Sequence, residues 1–152
     1  MLDAGRIAPE FSLKDVDGER RSLRENLKLG PVLAVFFKIS CPTCHLTLPF
    51  LERLKTSVRV VGISQDDPAS TKELLEYFKI TFPVLIDPEK DHYAVSGAYR
   101  LTNVPSMFLI ERDGKISWAL HGFHRGDLEQ LAARFGLALF GADEKVPLMK
   151  PG

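Results

Sequence analysis

Two periods of hydrophobic and polar residues alternate along this chain. The run "PVLAVFF" (31–37) is continuously apolar and rich in β-formers, the pattern of a strand buried on both faces of a central parallel sheet. "VRVVGIS" (58–64) repeats that pattern, and "FPVLID" (82–87) reads as a shorter strand. Between the strands the period lengthens. Thr47, Phe50, Leu51 and Leu54 recur at i, i+3, i+4 and i+7, the stripe of an amphipathic helix. "DPASTKELLEYFK" (67–79) predicts a helix opened by Asp67-Pro68. "HYAVSGAYRL" (92–101) predicts another, with a weak spot at Gly97.

The ends of the chain follow other patterns. "EFSLKDVDGERRSL" holds two short extended runs around Asp17-Gly18, a hairpin signal. Ser22 and Glu25 form an S-x-x-E capping box for a short helical turn ending near Gly30. "SMFLIE", Asp113-Gly114 and "KISWAL" predict an antiparallel hairpin. Leu128, Leu131, Ala132, Phe135 and Leu139 put an apolar stripe on a last helix. The order is hairpin, β, α, β, α, β, α, β-hairpin, α, which predicts an α/β sandwich with a mixed sheet and helices on both faces. No internal repeat or linker divides the chain. The expectation is one domain over residues 1–140 and a loose, solvated tail over 141–152.

Composition narrows the partners. At 152 residues the chain can bury a real core, and its 45% hydrophobic and 26% charged residues are ordinary for a soluble globular protein. Twenty basic residues balance twenty acidic ones, so no net charge favours nucleic acid or an anionic membrane. No apolar run is long enough to cross a bilayer. The start, "MLDAGRIAPEF", lacks the basic and apolar regions of a secretory signal. The expectation is a cytoplasmic protein if residue 1 is the native start, and a periplasmic or exported one if a signal segment was trimmed.

The chemistry lies in "SCPTCH" (40–45), which holds both cysteines. Cys41-Pro42-Thr43-Cys44-His45 fits three patterns: a haem attachment sequence, half of a zinc site, or a dithiol/disulfide redox centre. Haem attachment belongs to exported, loop-rich helical proteins, whereas this motif follows a buried strand. Zinc needs four ligands, and there is no second C-x-x-C; two of His92, His121 and His124 would have to converge on the cysteines. The redox reading predicts the context found here. The motif lies at the C-terminal end of a strand, where open α/β sheets place their sites. A helix starting there directs free N–H groups and its positive dipole end at the first sulfur. Pro42 then occupies the first helical position, where its missing N–H costs little.

These residues together resemble the thioredoxin superfamily, and within it the redoxin branch of TlpA/ResA-like thiol-disulfide oxidoreductases and their AhpC/TSA relatives. The resemblance covers about residues 5–138. It rests on "GRIAPEFSLKDVDGERRSL", the strand "PVLAVFF", the centre "CPTC", Pro49 five residues after the second cysteine, and "NVPSMFLIERDGKI". It implies a thioredoxin-like fold: a central mixed β-sheet flanked by helices, with an N-terminal β-hairpin extension and an inserted strand-helix segment. It implies a redox-active disulfide, Cys41–Cys44, with no cofactor and no metal. It also implies a cis-proline element, Val104-Pro105, facing the cysteines and pairing with the backbone of a protein or peptide disulfide substrate. An unidentified thiol reductant would complete the cycle.

Departures from the branch bear on mechanism. Ser40 stands where thioredoxin has Trp, and Val35 where it has a buried acid. Pro42 and Thr43 replace the Glu-containing dipeptide of ResA-like proteins, so the resemblance identifies no proton acceptor for Cys44. Lys38 would favour a Cys41 thiolate if it pointed inward; a solvated strand-end lysine is the competing reading. His121 and His124 are either proton acceptors beside Cys44 or surface and capping residues. The alternative activity is a peroxiredoxin-type thiol peroxidase. Such enzymes carry T-x-x-C before the reactive cysteine, whereas Lys38 precedes Cys41 by three; Arg125 falls near the place of their thiolate-steadying arginine.

Overall fold

The computed structural model describes residues 1–152. A hairpin of β1 (Ser12–Lys14) and β2 (Arg20–Ser22) leads into α1 (Leu23–Leu27). Then come β3 (Val32–Phe37), α2 (Pro42–Leu54), β4 (Arg59–Ser64), α3 (Pro68–Tyr77) and β5 (Val84–Ile86). A 3-10 turn over Glu89–Asp91 and α4 (Ala94–Ala98) precede β6 (Ser106–Ile110) and β7 (Ile116–His121). The chain closes with β8 (Phe123–His124), α5 (Arg125–Arg134) and β9 (Met149–Lys150). The central sheet has the order β5-β4-β3-β6-β7, with β3, β4 and β5 parallel and β6 and β7 antiparallel. This is the mixed α/β sheet that the sequence pattern predicts.

All six residues of β3 are buried because the strand is central and covered on both faces. Its side chains alternate between two cores, the period-2 geometry of a strand. Leu33, Val35 and Phe37 join α2 and α5 through Leu48, Leu51, Leu54, Leu128 and Leu131. Val32, Ala34 and Phe36 face the N-terminal segment and Tyr99, with Phe11 and Leu23. Tyr99 is fully buried yet satisfied, since its hydroxyl donates to the Pro9 carbonyl at 2.7 Å.

Three local expectations need correction. The capping box at α1 is half formed: Ser22 Oγ accepts the Glu25 amide at 3.1 Å, while Glu10 rather than Glu25 takes a further orphan amide, that of Arg24. The predicted helix over 92–101 shrinks to α4, because His92, Tyr93 and Arg100 adopt left-handed backbone with φ near 54°, 51° and 55°. The stripe on α5 also overruns the helix; Phe135 is its C-cap, and Leu139 is buried beyond it.

The tail over 141–152 is not loose. β9 pairs antiparallel with β8, and Arg53 on α2 grips Glu144 through two hydrogen bonds of 2.7 and 2.8 Å. Backbone donors and one cation opposite one carboxylate hold a segment that is too polar to announce itself by hydrophobic period.

Candidate active site

Strand β3 delivers the chain to the sheet's C-terminal edge, and four residues later Cys41 is the N-cap of α2. Cys41 is extended (φ −94°, ψ 111°), and its Sγ accepts the Cys44 amide at 3.1 Å, as a serine oxygen would at an ordinary cap. Pro42 occupies the first helical position, as expected, and Thr43 is half-buried beside it. Cys44 lies inside the first turn with no exposed surface, part of the core beneath α2. Both thiols are free. Burial pushes the Cys44 thiol far up from its ordinary value, and its hydrogen bond to Cys41 adds to that. The pair is asymmetric: one sulfur meets solvent, and the other is packed away and held protonated.

A second wall faces the cysteines. The Val104–Pro105 peptide is cis, and the Val104 carbonyl accepts the Cys41 S–H at 3.5 Å. Ser106 Oγ donates to the Asn103 carbonyl at 2.7 Å and fixes this turn where β6 begins. A small cleft of about 170 Å³ runs beside it, lined by Lys38, Gln65, Leu101, Thr102, Asn103 and Val104. A larger cleft of about 510 Å³ lies behind the β1–β2 hairpin and shares no residue with the cysteines or the cis-proline turn.

Asp66, which the sequence does not single out, and His45, which it offers only as part of the C-x-x-C-H pattern, shape the approach to Cys41. Asp66 Oδ2 accepts the Ile39 amide at 2.8 Å, and His45 Nε2 donates to the Ile39 carbonyl at 2.6 Å. Both backbone polar groups of Ile39, two residues before Cys41, are thus held by side chains. Asp66 follows β4, which runs parallel to β3, so the two strand ends arrive at the same edge. That shared edge was the available signal. The Asp66 charge also acts in a minor way to raise the Cys44 thiol.

The remaining candidates go elsewhere. Lys38 is exposed and contributes its carbonyl to the Cys41 amide at 3.3 Å. His121 is exposed and accepts from the Asn103 side chain at 3.3 Å. His124 is the N-cap of α5 without a side-chain capping bond. The Arg125 guanidinium donates to the Val146 carbonyl at 3.2 Å and pairs with Glu129 at 3.6 Å. His45 is engaged with Ile39 and Cys44 is sealed in the core, an arrangement unlike a haem attachment site. No group of three or more His, Cys, Asp or Glu side chains is arranged to hold a metal ion, so the zinc pattern finds no ligand set.

A half-exposed thiol capping a helix, a buried thiol one turn on and a facing cis-proline turn, all on a mixed sheet, define a thioredoxin-like redoxin. Residues 4–119 match the model of the AhpC/TSA family, and the chain belongs to that family. The thiol-disulfide oxidoreductase ResA of Geobacillus thermodenitrificans is 28% identical over 124 residues, 78% of this chain and 69% of that one. A putative thiol:disulfide interchange protein DsbE from Chlorobium tepidum superposes with a TM-score of 0.78 at 25% identity, covering 92% of this chain and 100% of that one. The peroxidoxin BcpB of Mycobacterium tuberculosis superposes at 0.70 with 21% identity, covering 80% and 86%, a likeness of fold alone.

Proposed function

We infer that the protein is a thiol-disulfide oxidoreductase acting on protein or peptide disulfides through Cys41 and Cys44. The observation that carries this reading is the asymmetry of the two sulfurs, with Cys41 at the helix N-cap and Cys44 buried behind it. The relatives named ResA and DsbE support the same activity.

Cys41, as the thiolate, attacks one sulfur of a substrate disulfide. A Cys41–substrate disulfide forms, and the other substrate sulfur leaves as a thiolate. Cys44 then loses its proton and attacks Cys41 Sγ, which releases the second substrate thiolate and leaves the Cys41–Cys44 disulfide. Two electrons pass from the dithiol to the substrate; a thiol reductant of the same chemistry returns them. Helix N–H groups directed at Cys41 stabilise that sulfur whenever it carries charge, both before attack and as leaving group. Burial holds the Cys44 proton, so its loss accompanies the second attack. The Val104 carbonyl, on the turn facing Cys41, offers an acceptor to an extended substrate backbone.

The peroxidase reading has less support. Arg125 is committed to Val146 and Glu129, and no arginine contacts Cys41. Insulin reduction and hydrogen peroxide consumption measured side by side test the choice. The dithiol reading predicts rapid insulin precipitation and little peroxide turnover; the reverse result contradicts it.

A further inference from the structure

The segment after α5 returns to the sulfurs. Arg53 Nη1 donates to the Leu139 carbonyl at 3.0 Å and clasps Glu144, whose Oε1 also accepts the Gly141 amide at 2.7 Å. From this anchor the chain runs along β8. The Arg125 amide donates to the Leu148 carbonyl at 3.0 Å, and Phe123 and His124 pair with Lys150 and Met149. The end of the segment then reaches both walls of the site. Thr43, between the cysteines, donates its hydroxyl to the Pro151 carbonyl at 2.6 Å. Gly152 packs on the cis-proline turn so closely that a Cβ would stand 2.5 Å from the Val104 carbonyl oxygen and 2.7 Å from Asn103 Nδ2. Gly122, with φ +74°, allows the approach from below, since a Cβ there would lie 2.8 Å from the Lys150 carbonyl oxygen.

The Val104 carbonyl that Gly152 covers is the one that accepts the Cys41 S–H. Space over this carbonyl is where an extended substrate backbone would lie, so segment and substrate compete for it. The segment is held mainly by its backbone. Val146 packs against the core beneath α2, but beyond it Leu148 is 72% exposed and Met149 53%, so little apolar surface resists the departure of residues 148–152. Segments with few buried contacts open locally at low cost, while the rest of the molecule stays folded.

We propose that residues 148–152 form a strap that occupies the peptide groove beside Cys41 in the resting enzyme and leaves it when a peptide disulfide binds. This rests on the reading of Cys41 as the attacking thiol. The strap discriminates by size and shape. A small disulfide needs only the exposed sulfur, whereas an extended peptide needs the backbone positions that Gly152 and Pro151 hold. Gly152 fits because any side chain would strike Val104.

The test uses the full chain carrying Cys44→Ser, so that only the first exchange is read. It is compared with the same protein lacking residues 148–152 and with Gly152→Val. Both variants retain the Glu144 anchor. One probe is a short unstructured peptide whose single cysteine is capped by thionitrobenzoate. Cys41 attacks the peptide sulfur, the protein–peptide disulfide forms, and thionitrobenzoate leaves as a coloured thiolate. The other probe is hydroxyethyl disulfide. If the groove is open about one tenth of the time, freeing it raises the peptide rate about tenfold, while the small-disulfide rate changes less than about twofold. Equal peptide rates in the three proteins overturn the strap and leave the oxidoreductase reading intact. An equal gain with both probes also overturns it, since that marks a change in the sulfur rather than in the groove. If no form gives a mixed disulfide with either probe, attack by Cys41 fails and the strap fails with it.

Discussion

Cys44 carries the strongest electrostatic signature in the site. Burial, followed by its hydrogen bond to Cys41, pushes its thiol well above the ordinary 9.0. In the unfolded chain it loses its proton near that ordinary value, whereas in the folded protein it keeps it. The folded state therefore binds more protons above pH 9, and stability falls there as pH rises. The contribution is fully present below pH 9 and is lost as pH climbs toward the folded value. For one proton the slope approaches about 1.4 kcal/mol per pH unit. Tyr99 is pushed up by burial too, so the reduced protein must be compared with its own Cys44→Ala variant. Denaturant midpoints of the reduced protein should fall more steeply above pH 9 than those of Cys44→Ala; parallel curves would contradict the assignment. At this scale the sequence was informative where chemistry is local. Cys41, Pro42 and Cys44 could be placed from spacing and a preceding buried strand. Asp66 could not, because its contact with Ile39 spans 27 positions and exists only once β3 and β4 lie side by side. His121 ends β7, His124 lies in β8 and Arg125 opens α5; His121 meets the distant Asn103, and Arg125 meets Val146 on a segment whose path no periodicity announces.

Elements show the same division between local signal and tertiary context. Strand β3 was legible because a strand covered on both faces must be continuously apolar. The helix over 92–101 was misread because propensity says nothing about left-handed residues at its ends. In β4, Gly62 is demanded by packing rather than by backbone conformation. A Cβ there would meet Val84 Cγ2 at 3.0 Å, Phe82 Cε1 at 3.1 Å and Phe37 Cε1 at 3.2 Å, all on buried side chains. Gly62→Ala should cost about 1–3 kcal/mol, the usual range for overpacking a filled core; a denaturation curve superposing on that of the parent would show that the core yields freely. The clasp at the base of the strap titrates in the opposite sense to Cys44. The Arg53 guanidinium and the Gly141 amide hold the Glu144 carboxyl down at about 2, against an ordinary 4.5. Its stabilising effect is present above pH 4.5 and lost as pH falls toward 2. The protection of the Gly141 amide, its exchange rate set against the intrinsic rate at the same pH, should therefore fall as pH drops from 4.5 toward 2. Unchanged protection in Glu144→Gln at neutral pH would show that the clasp contributes nothing.

Across the whole molecule, a parallel strand and its following helix carry the cysteine pair, an antiparallel strand brings the cis-proline turn to face it, and Pro151 and Gly152 reach both. No helix is long and apolar enough to cross a membrane. The α/β alternation was readable because each strand and helix announces its own period, and the resemblance then supplied the facing turn from sequence distant along the chain. The strap stayed unread because a polar segment fixed by backbone bonds has no hydrophobic signature. The proposed function turns on a fixed order of events at two sulfurs, Cys41 first and Cys44 second. The most direct test compares Cys44→Ser with Cys41→Ser, each offered the same peptide disulfide near neutral pH and resolved by mass without reductant. Cys44→Ser should accumulate the protein–peptide disulfide, since the first attack proceeds and the resolving thiol is gone. Cys41→Ser should remain almost unmodified, since its one thiol is buried and protonated. Equal trapping by both variants, or trapping by Cys41→Ser alone, would contradict this order and the function built on it.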